Sequence, residues 1–265
     1  MATIKAALID IDGVLTTSWH ALPGAVEAMA RLRRMGLGLR LVTNTTSRTC
    51  SWMATRLSAQ GFPVHPEDIL TAPGLTAHYL TARYPGARCL VLNNGDLRKD
   101  LPGVNQVGLD AQDVDVVVLG GAGPEFGYDA LNRIFSHVQA GAALVAMNRN
   151  FYWATDDGLR LDTGTFLAGL EQATGVSAVM TGKPAATFFT SALELLGTDP
   201  ADALMVGDDI DSDVVAGQAV GLGGVLVKTG KFLPRDLDRA APAPAPDNVI
   251  DSFADLPDLV DRLNA

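Results

Sequence analysis

The sequence predicts an α/β protein built on a doubly wound, Rossmann-like parallel sheet. Three observations point there. Near-continuous apolar runs of strand length recur along the chain, as in parallel strands covered on both faces. Segments with helical spacing separate them, and a β-α-β-α alternation builds such a sheet. Two of the runs end in aspartates, "IDIDG" (9–13) and "GDDIDSD" (207–213), and ligands bind at the carboxyl edge of sheets of this kind.

The elements follow in order. "IKAALIDID" (4–12) reads as the first strand. "PGAVEAMARLRRMG" (23–36) reads as a helix: Pro23 suits its first turn, Val26, Met29 and Leu32 recur at helical spacing, and Gly36 suits its stop. "LGLRLVTN" (37–44) is a second strand. "SRTCSWMATRLSAQG" (47–61) is a second helix, capped by Ser47 or Thr46. Strands are expected at 89–94, 114–121 and 142–148, with helices at 75–84, 128–140 and 164–174. Then come a strand at 179–183, a helix at 184–196, a strand at 203–209, a helix from about 212 to 220, and a strand at 223–230. "APAPAP" (241–246) is a stiff linker or surface loop, and a short strand and helix over 248–264 close the sequence.

The 265 residues are 48% hydrophobic and 19% charged, with a net charge of −10. That composition suits a globular protein with a substantial core. The acidic balance argues against nucleic acid or an anionic membrane as partner. Cys50 and Cys89 have no metal-type spacing, which fits a reducing compartment. The start lacks a basic segment followed by a long apolar one, and no run suits a membrane span. A cytoplasmic location is the expectation.

Four short motifs carry chemistry. Asp10 and Asp12 stand at i and i+2 on one face of a strand end, and Gly13 lets the chain turn closely there. Asp208, Asp209 and Asp213 follow a second apolar run. Each cluster alone is also an ordinary acidic turn or helix cap. Together they would place several carboxylates on one sheet edge, where they repel unless a cation lies among them. Hard oxygen ligands without Cys or His select Mg²⁺. Thr43, Asn44 and Thr45 in "VTNTTSR" offer donors near a helix start, a place for phosphate oxygens. Lys183 in "TGKP" opposes the dipole of the helix it precedes, so another reason must place it there.

This order, DxDG, TNT, GKP and GDDxxxD, resembles the haloacid dehalogenase superfamily of phosphohydrolases. The insertion between Asn44 and Lys183 is similar to that superfamily's type IIA α/β cap, as in the NagD-like phosphatases. The words "VTNTTSR", "TGKPAATFF", "MVGDDIDSDVVAGQAVG" and "VLVKTGKF" resemble most the branch that contains phospholysine phosphohistidine inorganic pyrophosphate phosphatase. The resemblance implies a core domain over 1–72 and 181–265 and a cap domain over 73–180 that sets substrate choice. It implies Asp10 as the nucleophile that forms an aspartyl phosphate, and Asp12 as the acid and then the base. Asp10, Asp208 and the Asp12 carbonyl would ligate Mg²⁺. Thr43 and Lys183 would hold the phosphoryl oxygens, with Gly13, Asn44 and Thr45 nearby. Asp209 and Asp213 would support these groups from behind, orienting Lys183 or metal-bound water. In the cap, "NRNFYWATDDG" (148–158) offers Arg149 for an anionic substrate and Tyr152 or Trp153 as a pocket wall. The substrate would be a small phosphorylated molecule, with phosphate esters, P–N bonds and pyrophosphate as the candidate bonds. A homodimer formed through the cap is an analogy with type IIA relatives.

Two other readings compete. "VVVLGGAGPEFG" (116–127) places glycines after a strand, but Gly121, Gly123 and Gly127 give GxGxxxG, not the dinucleotide fingerprint, and Pro124 lacks a donor. A phospho-receiver or a ligand-binding member of the fold would use similar residues. The chain is about twice a receiver's length, and its first strand carries DxD where a receiver would not.

Overall fold

Strand β1 (Ala6–Asp10) is buried at every residue, as its apolar sequence requires. The computed structural model describes residues 3–46, 48–155, 158–234, 237 and 245–265, with backbone only at 153–155 and 158–159. The chain divides into two compact units. One comprises 1–43, 50–70 and 189–265, the other 44–49 and 71–188.

In the first unit β1 lies centrally, between β4 (Gly38–Thr43) and β13 (Ala203–Gly207). The sheet continues through β14 (Gly223–Val227) to β15 (Asn248–Ile250) on one side and ends at β5 (Ile69–Thr71) on the other. β4, β1, β13, β14 and β15 run parallel, with Asp10 level with Val42 and Ile9 level with Val206. The carboxyl ends of β1, β4 and β13 therefore share one edge. Helix α1 (Ala25–Arg34) buries Met29 and Leu32 completely, worth about 1.5–3 kcal/mol each. It starts two residues after Pro23, because Gly24 takes a left-handed conformation at its N-cap (φ 73°). Helix α2 (Cys50–Ala59) adds Met53 and Leu57 to the same core, and Phe253, in the turn before α8 (Leu256–Asn264), and Leu256, that helix's first residue, complete it. Ser47, one of the two expected caps of α2, lies outside the described residues, as do positions 241–244 of the proline-rich segment.

The second unit has its own parallel sheet, in the order β12 (Val179–Met180), β9 (Ala143–Ala146), β8 (Val116–Leu119), β6 (Arg88–Leu92), β7 (Asn105–Val107). Leu90, Val117, Leu119 and Leu144 of the sheet meet Ile134 and Val138 of α4 (Tyr128–Gln139) and Leu167 of α5 (Thr163–Thr174) in a separate core. Helix α3 (Ala72–Arg83) opens this unit, Thr71 capping it by accepting from the Gly74 N–H at 3.1 Å. Strands β10 (Tyr152–Thr155) and β11 (Gly158–Leu161) form an antiparallel hairpin. Helix α6 (Ala186–Leu196) leads back to the first unit.

The fold class is the one the sequence predicts. Two details differ. Strand β1 stops at Asp10 rather than at residue 12, because the chain turns there. The expected helix over 212–220 is instead a wide turn at Ile210–Val215, followed by the short α7 (Ala216–Gln218). Val214 N–H reaches back five residues to the Asp209 carbonyl, so this turn is wider than an α-helical one.

Candidate active site

Asp10 ends β1 and is 7% exposed. Beyond it the Leu15 and Thr16 N–H groups both donate to the Ile11 carbonyl, and the Gly13 N–H donates to the Thr16 carbonyl at 2.7 Å. Gly13 holds φ +85°, a conformation that favours glycine. The chain then forms a small hairpin, β2 (Thr16–Thr17) with β3 (His20–Ala21). Asp12 lies past the strand in this turn and is exposed, so the strand-face argument holds Asp10 but not Asp12.

Asp208 and Asp213 are each 1% exposed. Asp208 directly follows β13, and the wide turn brings Asp213 back beside it. A Cβ on Gly207 would stand 2.3 Å from the Asp213 Cβ, so glycine is what admits Asp213. One carboxylate oxygen from each of Asp10, Asp208 and Asp213 lies within 4.8 Å of the others. Asp213, expected in a supporting position, thus brings an oxygen into the cluster itself. Asp209 turns aside: its Oδ1 accepts from the Asp211 and Ser212 N–H groups, capping the turn. Burial raises the Asp209 pKa, but these bonds and Lys231 outweigh it and hold the carboxyl below its ordinary range.

Three buried carboxylates this close are costly as anions without a cation. All the donors are hard oxygens, with no thiolate or imidazole among them, and Mg²⁺ fits such a set. The Asp208 carboxylate is also tightly cradled. A Cβ on either Gly13 or Gly230 would come within 2.0 Å of its Oδ2. The same oxygen accepts the Lys231 N–H at 2.7 Å, and the Thr229 hydroxyl donates to the Gly13 carbonyl. The Lys231 ammonium lies 3.4 Å from Asp209 Oδ2.

Thr43 ends β4 and is buried, and Asn44 and Thr45 behind it are half-buried. Within the second unit, Asn44 and Lys183 are locked together. The Lys183 N–H donates to Asn44 Oδ1 and Asn44 Nδ2 donates to the Lys183 carbonyl, both at 2.9 Å. A Cβ on Gly182 would meet the Met147 carbonyl oxygen at 1.8 Å. Asn44 therefore fixes the backbone that carries Lys183. The Arg149 guanidinium is engaged elsewhere in the unit: its two terminal nitrogens meet the two oxygens of Glu171, each at 2.7 Å. Trp153 lies on β10, and its side chain is outside the described residues, as are Asp156 and Asp157.

Sequence reasoning missed Gly230, Lys231 and Glu171. The first two stood in the quoted word "VLVKTGKF", where a Thr-Gly pair after a strand signals a close backbone approach. Nothing local marks Glu171. The glycine-rich turn after β8 is filled by the protein's own side chains. A Cβ on Gly120 would be 2.1 Å from Asn93 Oδ1 and one on Gly121 would be 2.5 Å from the Thr46 hydroxyl, while the Ala122 N–H is taken by buried Asp162. Among the described residues, no helix is long and apolar enough to cross a membrane.

Known proteins resemble this chain in sequence and in fold. A family model described as haloacid dehalogenase-like hydrolase matches residues 7–106, and a second, HAD-hydrolase-like, matches residues 180–256. The haloacid dehalogenase-like hydrolase domain-containing protein 2 of Bos taurus is 37% identical, covering 91% of this chain and 90% of its own. The phospholysine phosphohistidine inorganic pyrophosphate phosphatase of Xenopus laevis is 37% identical, covering 88% and 86%. Among solved structures, the p-nitrophenyl phosphatase from Archaeoglobus fulgidus superposes with a TM-score of 0.88 at 29% identity, over 97% of this chain and 99% of that one. NagD from E. coli K-12 gives 0.85 at 29% identity, over 95% and 98%. A glycerol phosphate phosphatase from Mycobacterium tuberculosis, in complex with magnesium, gives 0.83 at 30% identity, over 96% and 76%. The chain belongs to the haloacid dehalogenase-like hydrolases.

Proposed function

We propose that this protein is a Mg²⁺-dependent phosphatase of small phosphorylated molecules, working through an aspartyl phosphate on Asp10. The observation that carries the reading is the buried cluster of Asp10, Asp208 and Asp213 at the edge of a parallel sheet. The relatives and structural neighbours with named activities are phosphatases, matched over most of their lengths, which favours catalysis over a receiver or binding role.

In the proposed reaction an Asp10 oxygen attacks phosphorus and the bond to the leaving group breaks. The leaving oxygen or nitrogen takes its proton from Asp12, whose exposed position in the turn leaves it open to substrate and water. Asp12, now a carboxylate, takes a proton from water as that water attacks phosphorus. The bond from Asp10 to phosphorus breaks, releasing inorganic phosphate and restoring both residues. Thr43 and Lys183 steady the negative phosphoryl oxygens, and Asn44 acts through Lys183 by fixing its backbone. Asp10, Asp208 and Asp213, with the Asp12 carbonyl, are the groups that would hold Mg²⁺. The ion would supply positive charge against the phosphoryl group. Small phosphate esters and the P–N and pyrophosphate substrates named for the Xenopus relative are the classes to test first.

The test is turnover of phosphate esters, phosphoramidates and pyrophosphate, with Mg²⁺ and with chelator, using Asp10→Asn as the blank. Phosphate release that needs Mg²⁺ and falls by at least about 10³-fold in Asp10→Asn is expected, as for loss of a covalent nucleophile. Activity indifferent to both chelator and Asp10→Asn would overturn the mechanism.

A further inference from the structure

Lys231 faces the carboxylate cluster twice. Its backbone N–H holds Asp208 Oδ2 at 2.7 Å, and its ammonium lies 3.4 Å from Asp209 Oδ2. Its side chain is 69% exposed, so it is not there to fill a core. One residue thus touches two successive carboxylates, and one of them, Asp208, is a candidate metal ligand clustered with Asp10 and Asp213.

We propose that Lys231 is a positioning residue for the cation site: a resident counter-charge that steadies the Asp10, Asp208 and Asp213 carboxylates before Mg²⁺ binds and lowers their affinity for it. The proposal rests on the reading of those three carboxylates as the Mg²⁺ site. The physical basis is Coulombic. A fixed positive charge offsets repulsion among buried carboxylates, and the same charge repels an incoming divalent ion. At water-like screening and a separation of several ångströms, that repulsion corresponds to about tenfold in affinity. Three neighbours keep the backbone in place whatever the side chain: the Thr229 hydroxyl on the Gly13 carbonyl, Gly230 against Gly13, and the Lys231 N–H on Asp208. Lys231→Met keeps the length of the stem and the N–H but removes the charge.

The experiment titrates the full chain with MgCl₂ by calorimetry without substrate, in wild type, Lys231→Met and Lys231→Arg, at low and at high KCl. Thermal midpoints are read in parallel. Lys231→Met should bind Mg²⁺ about tenfold more tightly at low salt. Salt screens exposed charges, so the difference should shrink at high KCl. Its metal-free midpoint should fall below wild type and recover at saturating Mg²⁺, and Lys231→Arg should track wild type. A Lys231→Met constant within about twofold of wild type at low salt, or weaker, overturns the role of Lys231. A wild type that neither releases heat nor shifts its midpoint with Mg²⁺ overturns the cation-site reading itself, and this proposal with it.

Discussion

A Cβ at Gly13 or at Gly230 would sit 2.0 Å from Asp208 Oδ2, so neither position takes a larger residue unless the carboxylate moves. Space thus fixes this site as firmly as charge does. The clustered aspartates Asp10, Asp208 and Asp213 were legible in the sequence because strand ends and short motifs expose them. Gly230 was not, because its partner Asp208 lies 22 positions away and only the fold brings the two together. Arg149 teaches the converse. Its charge within the cap stretch suggested contact with an anionic substrate, but both its terminal nitrogens are engaged by Glu171. The Arg149 hydrogen bonds hold the Glu171 carboxyl below its ordinary value of 4.5, against the opposing pull of burial. A depressed carboxyl stabilises the fold above its unfolded pKa, and that stability is lost as pH falls through the folded pKa. With 44% of the Arg149 side chain in water, the pair is worth about 0.5–1 kcal/mol. Arg149→Met should therefore unfold at lower denaturant than wild type at neutral pH, by about that amount. The gap should narrow and close as the pH falls below the ordinary carboxyl value of 4.5 and on through the lower folded-state value. A large loss in kcat/KM with unchanged stability would return Arg149 to the substrate pocket.

At the scale of elements, the long apolar strands were the legible part. β1, β4 and β13 stand where their hydrophobic runs placed them, trimmed at the ends where turns take over. Strands of two or three residues, such as β2, β3 and β7, show too little pattern to be read from periodicity. The β2–β3 hairpin is the clearest case. Its turn residues Ser18 and Trp19 have φ of 49° and 64°, the left-handed region that hairpin turns of this hand usually fill with Asn or Gly. Holding two such residues there costs roughly 1–2 kcal/mol each, so something must compensate. The Trp19 ring packs edge-on against Trp52 of α2, with centroids 4.9 Å apart and planes at 87°. Such a pair contributes about 0.5–1.5 kcal/mol beyond its buried area. Trp52 is 40% exposed, so Trp52→Ala removes this contact without opening a deep cavity. Amide exchange over residues 16–22 should then speed up selectively while the β1 and β4 amides stay protected. Unchanged exchange in the hairpin would mean that the aromatic pair is not what holds the strained turn.

At the scale of the whole molecule, the sequence showed an insertion through the long gap between its second and third motifs, but not where the packing divides. The motif reading sets the joints at 72/73 and 180/181, whereas contacts gather 44–49 and 71–188 into one unit. Contacts follow burial, and the segments that flank a motif pack where their apolar or small residues find partners. Gly121, for example, lies close under Thr46. This division carries a physical consequence. Among the described residues, the second core draws on residues between Leu90 and Met180, and all five strands of its sheet fall within 71–188. Excising 71–188 therefore leaves none of that core behind. It removes the Asn44 clamp on Lys183 and the Thr46 contact, both at one edge of the unit. A fragment of residues 71–188 should then fold by itself, with α/β circular dichroism and one cooperative thermal transition. Ile134→Ala, which empties a fully buried position of α4, should destabilise the fragment and the full chain by a similar 2–5 kcal/mol or so. A fragment that melts without cooperativity would show that this sheet depends on residues outside 71–188, and that the two cores fold as one.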